Sequence, residues 1–167
     1  TLLGLLCALT LVVVAVALRR LYLYEEAYGW TRLRLWVHAF ELWMGVVIVL
    51  IAIAGIRLKA AWLPRAIATS GAAGLLALGL LNPDGFIAAR NVDQVHLTGE
   101  TDLAYLSRLS ADAIPALDRL PEPQRSCTLR RLAGTLRDDD PWTGRNLSRE
   151  RARDLLQRHP VQPSLTC

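Results

Sequence analysis

A chain of 167 residues, 53% hydrophobic and only 20% charged, has the length of one soluble domain. Its apolar residues are concentrated in the first half, however, and residues 1–82 hold only ten charged side chains, which excludes one evenly built globular core. Residues 91–167 hold eleven arginines and eleven acidic residues. The net charge of +4 therefore belongs to the apolar half, and no basic stripe interleaved with aromatic residues indicates a nucleic-acid-binding protein.

Three apolar segments in the first half have about the length that a helix needs to cross a membrane, roughly 20 residues. The first begins at the start of the sequence without a preceding charged segment, so we expect a longer protein with further spans before Thr1. Pro64 suits the first turn of the third helix, and the alanines and glycines after it suit close helix packing. The predicted spans cover residues 2–18, 35–56 and 64–81.

Tyrosines, tryptophans and arginines alternate between the first two spans, which is typical of a segment at the headgroup level. Tyr28 and Gly29 are predicted to end a helix there, and Thr31 to cap the next one. Glu25 and Glu26 are expected to pair with the arginines of this segment at the headgroup level.

The residues after the third span are predicted to form an extramembrane helical tail over residues 91–167, after a membrane domain over residues 1–90. Asn82-Pro83-Asp84-Gly85 predicts a turn, and a short helix is expected from Phe86 to Asn91. Leucines at helical spacing then indicate further helices, separated by prolines and an aspartate run. These are predicted at Thr101–Leu109, Ala111–Leu120, Gln124–Leu136 and Leu147–His159.

The second span carries the strongest candidate for a polar site. Arg34, His38 and Glu41 are spaced by four and three residues, so they share one face of a helix with the small residues Gly45 and Ala52. An ionisable group inside a membrane is costly and needs a partner, and His38 is expected to supply one for Glu41. Three interpretations stay open: a structural ion pair that holds the bundle together, a proton relay or polar binding site, and a shallower helix in which Glu41 is simply solvated.

Cysteine and histidine positions give few further candidates. Cys7 lies in an apolar span, whereas Cys127 and Cys167 both lie in the tail and are a possible disulfide if the tail is outside the cytoplasm. The three histidines are scattered and show no ligand spacing, so we predict no metal site, no cofactor and no catalytic residues.

Three stretches of the sequence form recognisable motifs: Arg20–Leu35 (RLYLYEEAYGWTRLRL), Leu81–Asp84 through Ala89–Asp93, and Asp102–Pro115. They resemble a known family of bacterial multi-pass membrane proteins that carry a domain of unknown function, the 4153/4173 group. The bias to Arg, Ala and Leu with a single Lys suits an actinobacterial source. The resemblance covers most of residues 19–120 and implies a polytopic membrane protein with further spans before Thr1, but no activity.

The sequence therefore predicts an all-α C-terminal portion of a polytopic bacterial membrane protein, acting as a non-catalytic module by helix packing or partner binding. A transporter or proton-relay component and part of a membrane-embedded enzyme remain as alternatives. The expected partners are the lipid bilayer and upstream transmembrane helices of the same protein, with no nucleic acid. In the plasma membrane, the count of basic residues favours a cytoplasmic tail and the tail cysteines favour an external one; the external tail is the working prediction.

Overall fold

The computed structural model describes residues 2–98, 102–136 and 146–162, apart from the side chains at 26–27 and 96–98. Within these ranges all regular structure is helical, which confirms the all-α prediction. The helices belong to two compact units, a first unit of residues 1–81 and a second unit of residues 82–167.

The first unit contains three helices, each long and apolar enough to cross a membrane. The second and third match the predicted spans closely. The first is longer than predicted, because no Gly or Pro interrupts the sequence between residue 18 and Gly29, so the segment rich in Tyr and Arg continues the same helix. The helices are α1 (Leu2–Tyr28), α2 (Arg32–Arg57) and α3 (Leu63–Leu80).

The connection between α1 and α2 is as short as the sequence predicts. Gly29 has a φ of 74°, a left-handed conformation that glycine adopts at little cost. The hydroxyl of Thr31 then accepts a hydrogen bond from the backbone N–H of Arg34 at 3.4 Å and caps α2. A turn this tight makes α1 and α2 an antiparallel hairpin.

The hairpin packs through small residues of α2 against aliphatic residues of α1. A Cβ added at Gly45 would lie 3.6 Å from Val14, and one added at Gly55 would lie only 3.1 Å from Leu3. Glycine at these two positions therefore lets the helices approach closely, which is how helices associate in lipid.

Helix α3 lies against α2 with few buried atoms of its own. Pro64 occupies its first turn as predicted, and no residue of α3 is buried. The indole Nε1 of Trp43 donates to Oγ of Ser70 at 3.3 Å, and the same ring lies beside Gly71. Trp43 of α2 thus contacts α3 through both its ring and its N–H group.

The second unit consists of short helices around a compact apolar core. Ile87 and Val92, from its first helix, are fully buried with Ile114, Leu117 and Leu129. Its elements are α4 (Pro83–Thr98), α5 (Leu103–Leu106), a 3-10 turn (Ala111–Ala113), α6 (Ile114–Leu117), α7 (Gln124–Thr135) and α8 (Leu147–Arg158).

The helices of the second unit differ from the prediction in three places. Helix α4 begins at Pro83 and runs well beyond the predicted Phe86–Asn91. Helix α5 is a single turn, capped by Asp102, whose carboxylate accepts from the N–H of Tyr105 at 2.9 Å. The helix predicted at Ala111–Leu120 is instead a 3-10 turn followed by α6, since Pro115 has no N–H to continue the preceding turn.

Candidate functional site

Four ionisable residues of the α1–α2 hairpin form the candidate site: Glu25, Arg34, His38 and Glu41. The last three are partly buried on α2, as their spacing requires. Glu25 is 1% exposed and comes from α1, opposite the beginning of α2. Glu25 thus adds a second carboxylate to the site, and the residue spacing within α2 cannot reveal it because Glu25 belongs to another helix.

The closest contact of the site joins Glu25 and His38. Nδ1 of His38 lies 2.8 Å from Oε1 of Glu25, an ion-pair distance. The geometry is not that of a hydrogen bond, and both carboxylate oxygens of Glu25 and Nδ1 of His38 lack a hydrogen-bond partner among the described residues. The direct ion-pair contact of Glu25 is therefore with His38 and not with one of the predicted arginines, although the charge of Arg34 also acts on Glu25. The side chain of Glu26 lies outside the described residues.

The imidazole ring of His38 is held from a second side by Trp30. The two rings stack with centroids 5.6 Å apart and an interplanar angle of 25°. His38 is 17% exposed, so an aromatic ring and a carboxylate cover most of it. This arrangement fixes which ring nitrogen faces Glu25.

The guanidinium group of Arg34 contacts backbone carbonyls at the end of α1 and forms no ion pair with Glu41. Its Nη1 donates to the carbonyl of Tyr28 at 3.2 Å and to the carbonyl of Gly29. Its guanidinium also lies 5.1 Å from the ring centroid of Tyr24. Arg34 thus binds the carboxyl end of α1, where a cation interacts favourably with the unpaired carbonyls and the helix dipole.

Glu41 lies one turn further into α2, nine residues after Arg32, which is roughly 14 Å along the helix axis. Its Oε2 is buried and has no hydrogen-bond partner among the described residues. His38 contacts Glu25 through Nδ1, so the structure does not support the expected pairing of His38 with Glu41.

Among these four residues the structure shows one direct contact between ionisable side chains, that of Glu25 with His38. Within the described residues no group of three or more His, Cys, Asp or Glu side chains is arranged to hold a metal ion.

The sequence analysis does not place Glu25 in this site because the predicted first span ends at residue 18. In the structure the helix continues to Tyr28, and its less exposed positions share one face with Glu25 at spacings of three and four residues. These positions are Leu11, Val14, Leu18 and Leu21.

A groove between α2 and α3 is the second feature of the first unit. It encloses about 590 Å³ and is almost entirely apolar. Small residues of α3 line one side, among them Gly71, Gly74 and Ala77, and aromatic residues of α2 line the other, among them Trp36 and Trp43.

A charged cluster in the second unit joins the end of α8 to α6 and α7. Nε of Arg125 donates to Oδ1 of Asp118 at 2.9 Å, and its Nη2 donates to the carbonyl of His159 at 2.7 Å. Nδ1 of His159 lies 2.8 Å from Oδ2 of Asp118. Burial opposes ionisation of Asp118, but the hydrogen bonds with His159 and Arg125 outweigh it and lower the pKa of this carboxyl.

The cysteines are placed only in part. Cys7 is buried and free, whereas Cys127 on α7 is disulfide-bonded. Cys167 lies outside the described residues, so its pairing with Cys127 stays a prediction.

Residues 1–120 match the model of a family described as a domain of unknown function (DUF4153), which includes the hairpin, α3 and the candidate site. No curated protein and no solved structure matches the chain.

Proposed function

We propose that this chain, which belongs to the DUF4153 family of domains of unknown function, is a non-catalytic membrane module that acts by packing against further transmembrane helices. The family membership and three membrane-length helices establish a membrane protein and no more. The observation that carries the proposal is the apolar groove between α2 and α3.

The composition of the groove favours a helix as its occupant. Apolar surface alone does not drive association in lipid, because the lipid tails are equally apolar, whereas small residues allow backbones to approach. Gly74 lines the groove, and a Cβ added there would meet nothing within 4 Å. An 18-residue helix without a single buried residue has room for such a neighbour. We propose that a transmembrane helix upstream of Thr1 in the same protein occupies it.

Photocrosslinking in native membranes tests this proposal. Leu75 lines the groove and is 62% exposed, so a photoreactive leucine at this position faces the proposed occupant. We expect a crosslink to another helix of the same protein, located by mass spectrometry. Adducts with lipid alone would contradict the proposal.

A pair of glycine substitutions provides the matched control. Gly74→Leu fills the groove, whereas Gly79→Leu adds the same side chain outside the groove lining. Neither added Cβ would meet an atom of this chain within 4 Å. We therefore expect Gly74→Leu to reduce the crosslink from position 75 severalfold and Gly79→Leu to leave it unchanged.

A proton-relay component is the second candidate, and the contact between Glu25 and His38 favours it. A carboxylate that is 1% exposed, beside an imidazole and without a hydrogen bond, is an arrangement that often marks proton pathways in membranes. The relay would use Glu25, His38 and Glu41, while Arg34 would hold the hairpin closed.

Proton flux into liposomes with the reconstituted protein distinguishes the second candidate from the first. A relay predicts that Glu25→Gln and His38→Gln each reduce flux at least tenfold, while Lys59→Gln, in the connection between α2 and α3, does not. Absence of flux above that of empty liposomes would leave helix packing as the function.

The location that we propose is the bacterial plasma membrane, with the tail on its outer side. The resemblance to bacterial multi-pass proteins supports the first part, and the tail cysteines support the second.

A further inference from the structure

The connection between α2 and α3 is a short, internally hydrogen-bonded turn at the membrane surface, since both helices have the length of a membrane span. Helix α2 ends at Arg57 and α3 begins at Leu63, so residues 58–62 join them. The indole Nε1 of Trp62 donates to the carbonyl of Lys59 at 2.8 Å, and the N–H of Leu63 donates to the carbonyl of Ala60 at 3.0 Å. These bonds fix the course of the turn.

Three cations lie on this turn and on the helix ends that flank it. Arg57 is the last residue of α2, Lys59 lies in the turn, and Arg65 lies in the first turn of α3. All three side chains are exposed, and none of them forms an ion pair with another described residue. Their charges are therefore available to a partner outside the chain.

No carboxylate of the first unit lies near these three cations. The sequence has no acidic residue between Glu41 and Asp84, and α1 has none before Glu25. Glu41 precedes Arg57 by sixteen residues of one helix, roughly 24 Å along its axis. Glu25 contacts the other end of α2, through His38. The positive charge at the α2–α3 turn is thus not balanced by the first unit.

Two aliphatic side chains project from the same segment. Ile56 is 84% exposed and Leu58 is 91% exposed. Leu58 ends α2 with a φ of 53°, the left-handed conformation that costs free energy for a residue with a Cβ. The turn therefore presents apolar side chains directly beside its cations, a combination that suits an amphiphile with an anionic head and apolar chains.

We propose that the α2–α3 turn binds the headgroup of an anionic phospholipid. Guanidinium and ammonium groups bind phosphate oxygens, and clustered basic residues beside a membrane span attract lipids with net negative charge. Ile56 and Leu58 contact the acyl chains of the same lipid. Phosphatidylglycerol satisfies these requirements, whereas the choline of phosphatidylcholine cancels the charge of its phosphate. With the tail outside, as proposed above, the turn faces the cytoplasmic leaflet, whose surface potential is negative.

A fluorophore at Ala60 measures which lipid lies beside the turn. Ala60 is exposed, and Ala60→Cys in a Cys7→Ser background is labelled with bimane without reductant, because Cys127 is disulfide-bonded. The same chain without Ala60→Cys supplies the background signal. The full chain is reconstituted in phosphatidylcholine nanodiscs with equal fractions of spin-labelled phosphatidylglycerol or phosphatidylcholine as quenchers. We define the lipid preference as the ratio of the two quenching constants.

We expect a severalfold preference for phosphatidylglycerol at about 0.15 M salt, where exposed charges more than roughly 8 Å apart are screened. Equal quenching by the two lipids, with circular dichroism showing a helical chain, would overturn the proposal. Lys59→Gln and Arg65→Gln should each reduce the preference about twofold to fivefold, the attraction of one basic residue to an anionic surface. Arg65→Lys keeps the charge and should keep most of the preference, so a full loss in this variant would contradict the proposal.

Arg20→Gln is the matched control for charge. It removes one positive charge from an exposed position of α1, towards the other end of the hairpin, and should leave the preference at Ala60 unchanged. Equal losses in Arg20→Gln and Lys59→Gln would show attraction by the net charge of the chain, and the α2–α3 turn would then not be a lipid site.

Discussion

Nδ1 of His38 lies 2.8 Å from Oε1 of Glu25, and this contact joins α1 to α2 a few residues from the turn of the hairpin. Both groups are largely removed from solvent, and neither forms a hydrogen bond with another described residue through these atoms. Replacing one of the two side chains therefore leaves the other polar group buried without its partner, which costs free energy. Replacing both with apolar side chains avoids this cost.

The first prediction concerns the coupling between these two residues. Glu25→Leu and His38→Leu are each expected to destabilise the hairpin by about 1–2 kcal/mol, the size of polar interactions between membrane helices. The double variant should cost less than the sum of the two. Unfolding in mixed micelles with increasing denaturing detergent measures all three, and additive effects would mean that the two side chains are not coupled.

The second prediction concerns Arg34, which donates to the carbonyls of Tyr28 and Gly29. Arg34→Gln removes a charged donor from the end of α1 and should destabilise the hairpin by about 1–3 kcal/mol. Arg34→Lys should restore only part of this, because an ammonium group does not reproduce the fork of donors.

The control for Arg34 is Arg20→Gln, which removes the same charge from an exposed position of α1. It should leave the same unfolding transition in place within about 0.5 kcal/mol. Equal effects of Arg20→Gln and Arg34→Gln would show that net charge matters and the two carbonyl contacts do not.

The third prediction is the acid sensitivity of the second unit. Hydrogen bonds with His159 and Arg125 lower the pKa of Asp118 despite its burial. Burial also opposes ionisation of Glu122, but the hydrogen bonds from Ser126 and Arg125 outweigh it and lower the pKa of this carboxyl. A carboxyl whose pKa is lower in the folded state adds stability above its unfolded pKa, and this stability is lost as the pH falls through the folded value.

We therefore expect protection of α6–α8 against hydrogen exchange, corrected for the intrinsic rates, to fall as the pH decreases below about 4. Asp118→Asn should lower protection already at pH 7 and flatten its decrease below pH 4. Glu122→Gln alone should flatten it less, because Glu122 is the more exposed of the two. An unchanged pH profile in Asp118→Asn would exclude this cluster as the acid-sensitive element.

The fourth prediction concerns the tail cysteines, Cys127 and Cys167. A membrane-impermeant thiol reagent applied to intact cells is expected to label them only after reduction, which would place the tail outside with a disulfide. Labelling that requires cell lysis, with or without reductant, would place the tail in the cytoplasm and overturn the external topology. A Cys7→Ser variant removes the free thiol of α1 from the background.

The sequence alone was sufficient for the membrane helices, because about 20 consecutive apolar residues have few other stable arrangements. The turn at Gly29 and Thr31 was predictable for a similarly local reason, since one glycine and one capping hydroxyl specify it. The shared face of Arg34, His38 and Glu41 followed from helical spacing alone.

Only the tertiary structure decided which partners these side chains have. His38 contacts Glu25 from another helix instead of Glu41 one turn away, because the antiparallel hairpin brings the end of α1 opposite the beginning of α2. The cluster of Asp118, Arg125 and His159 likewise joins residues that are far apart in the sequence, where nothing indicates their contact. Spacing along one helix is a local property, whereas contacts between helices depend on how the chain folds back on itself.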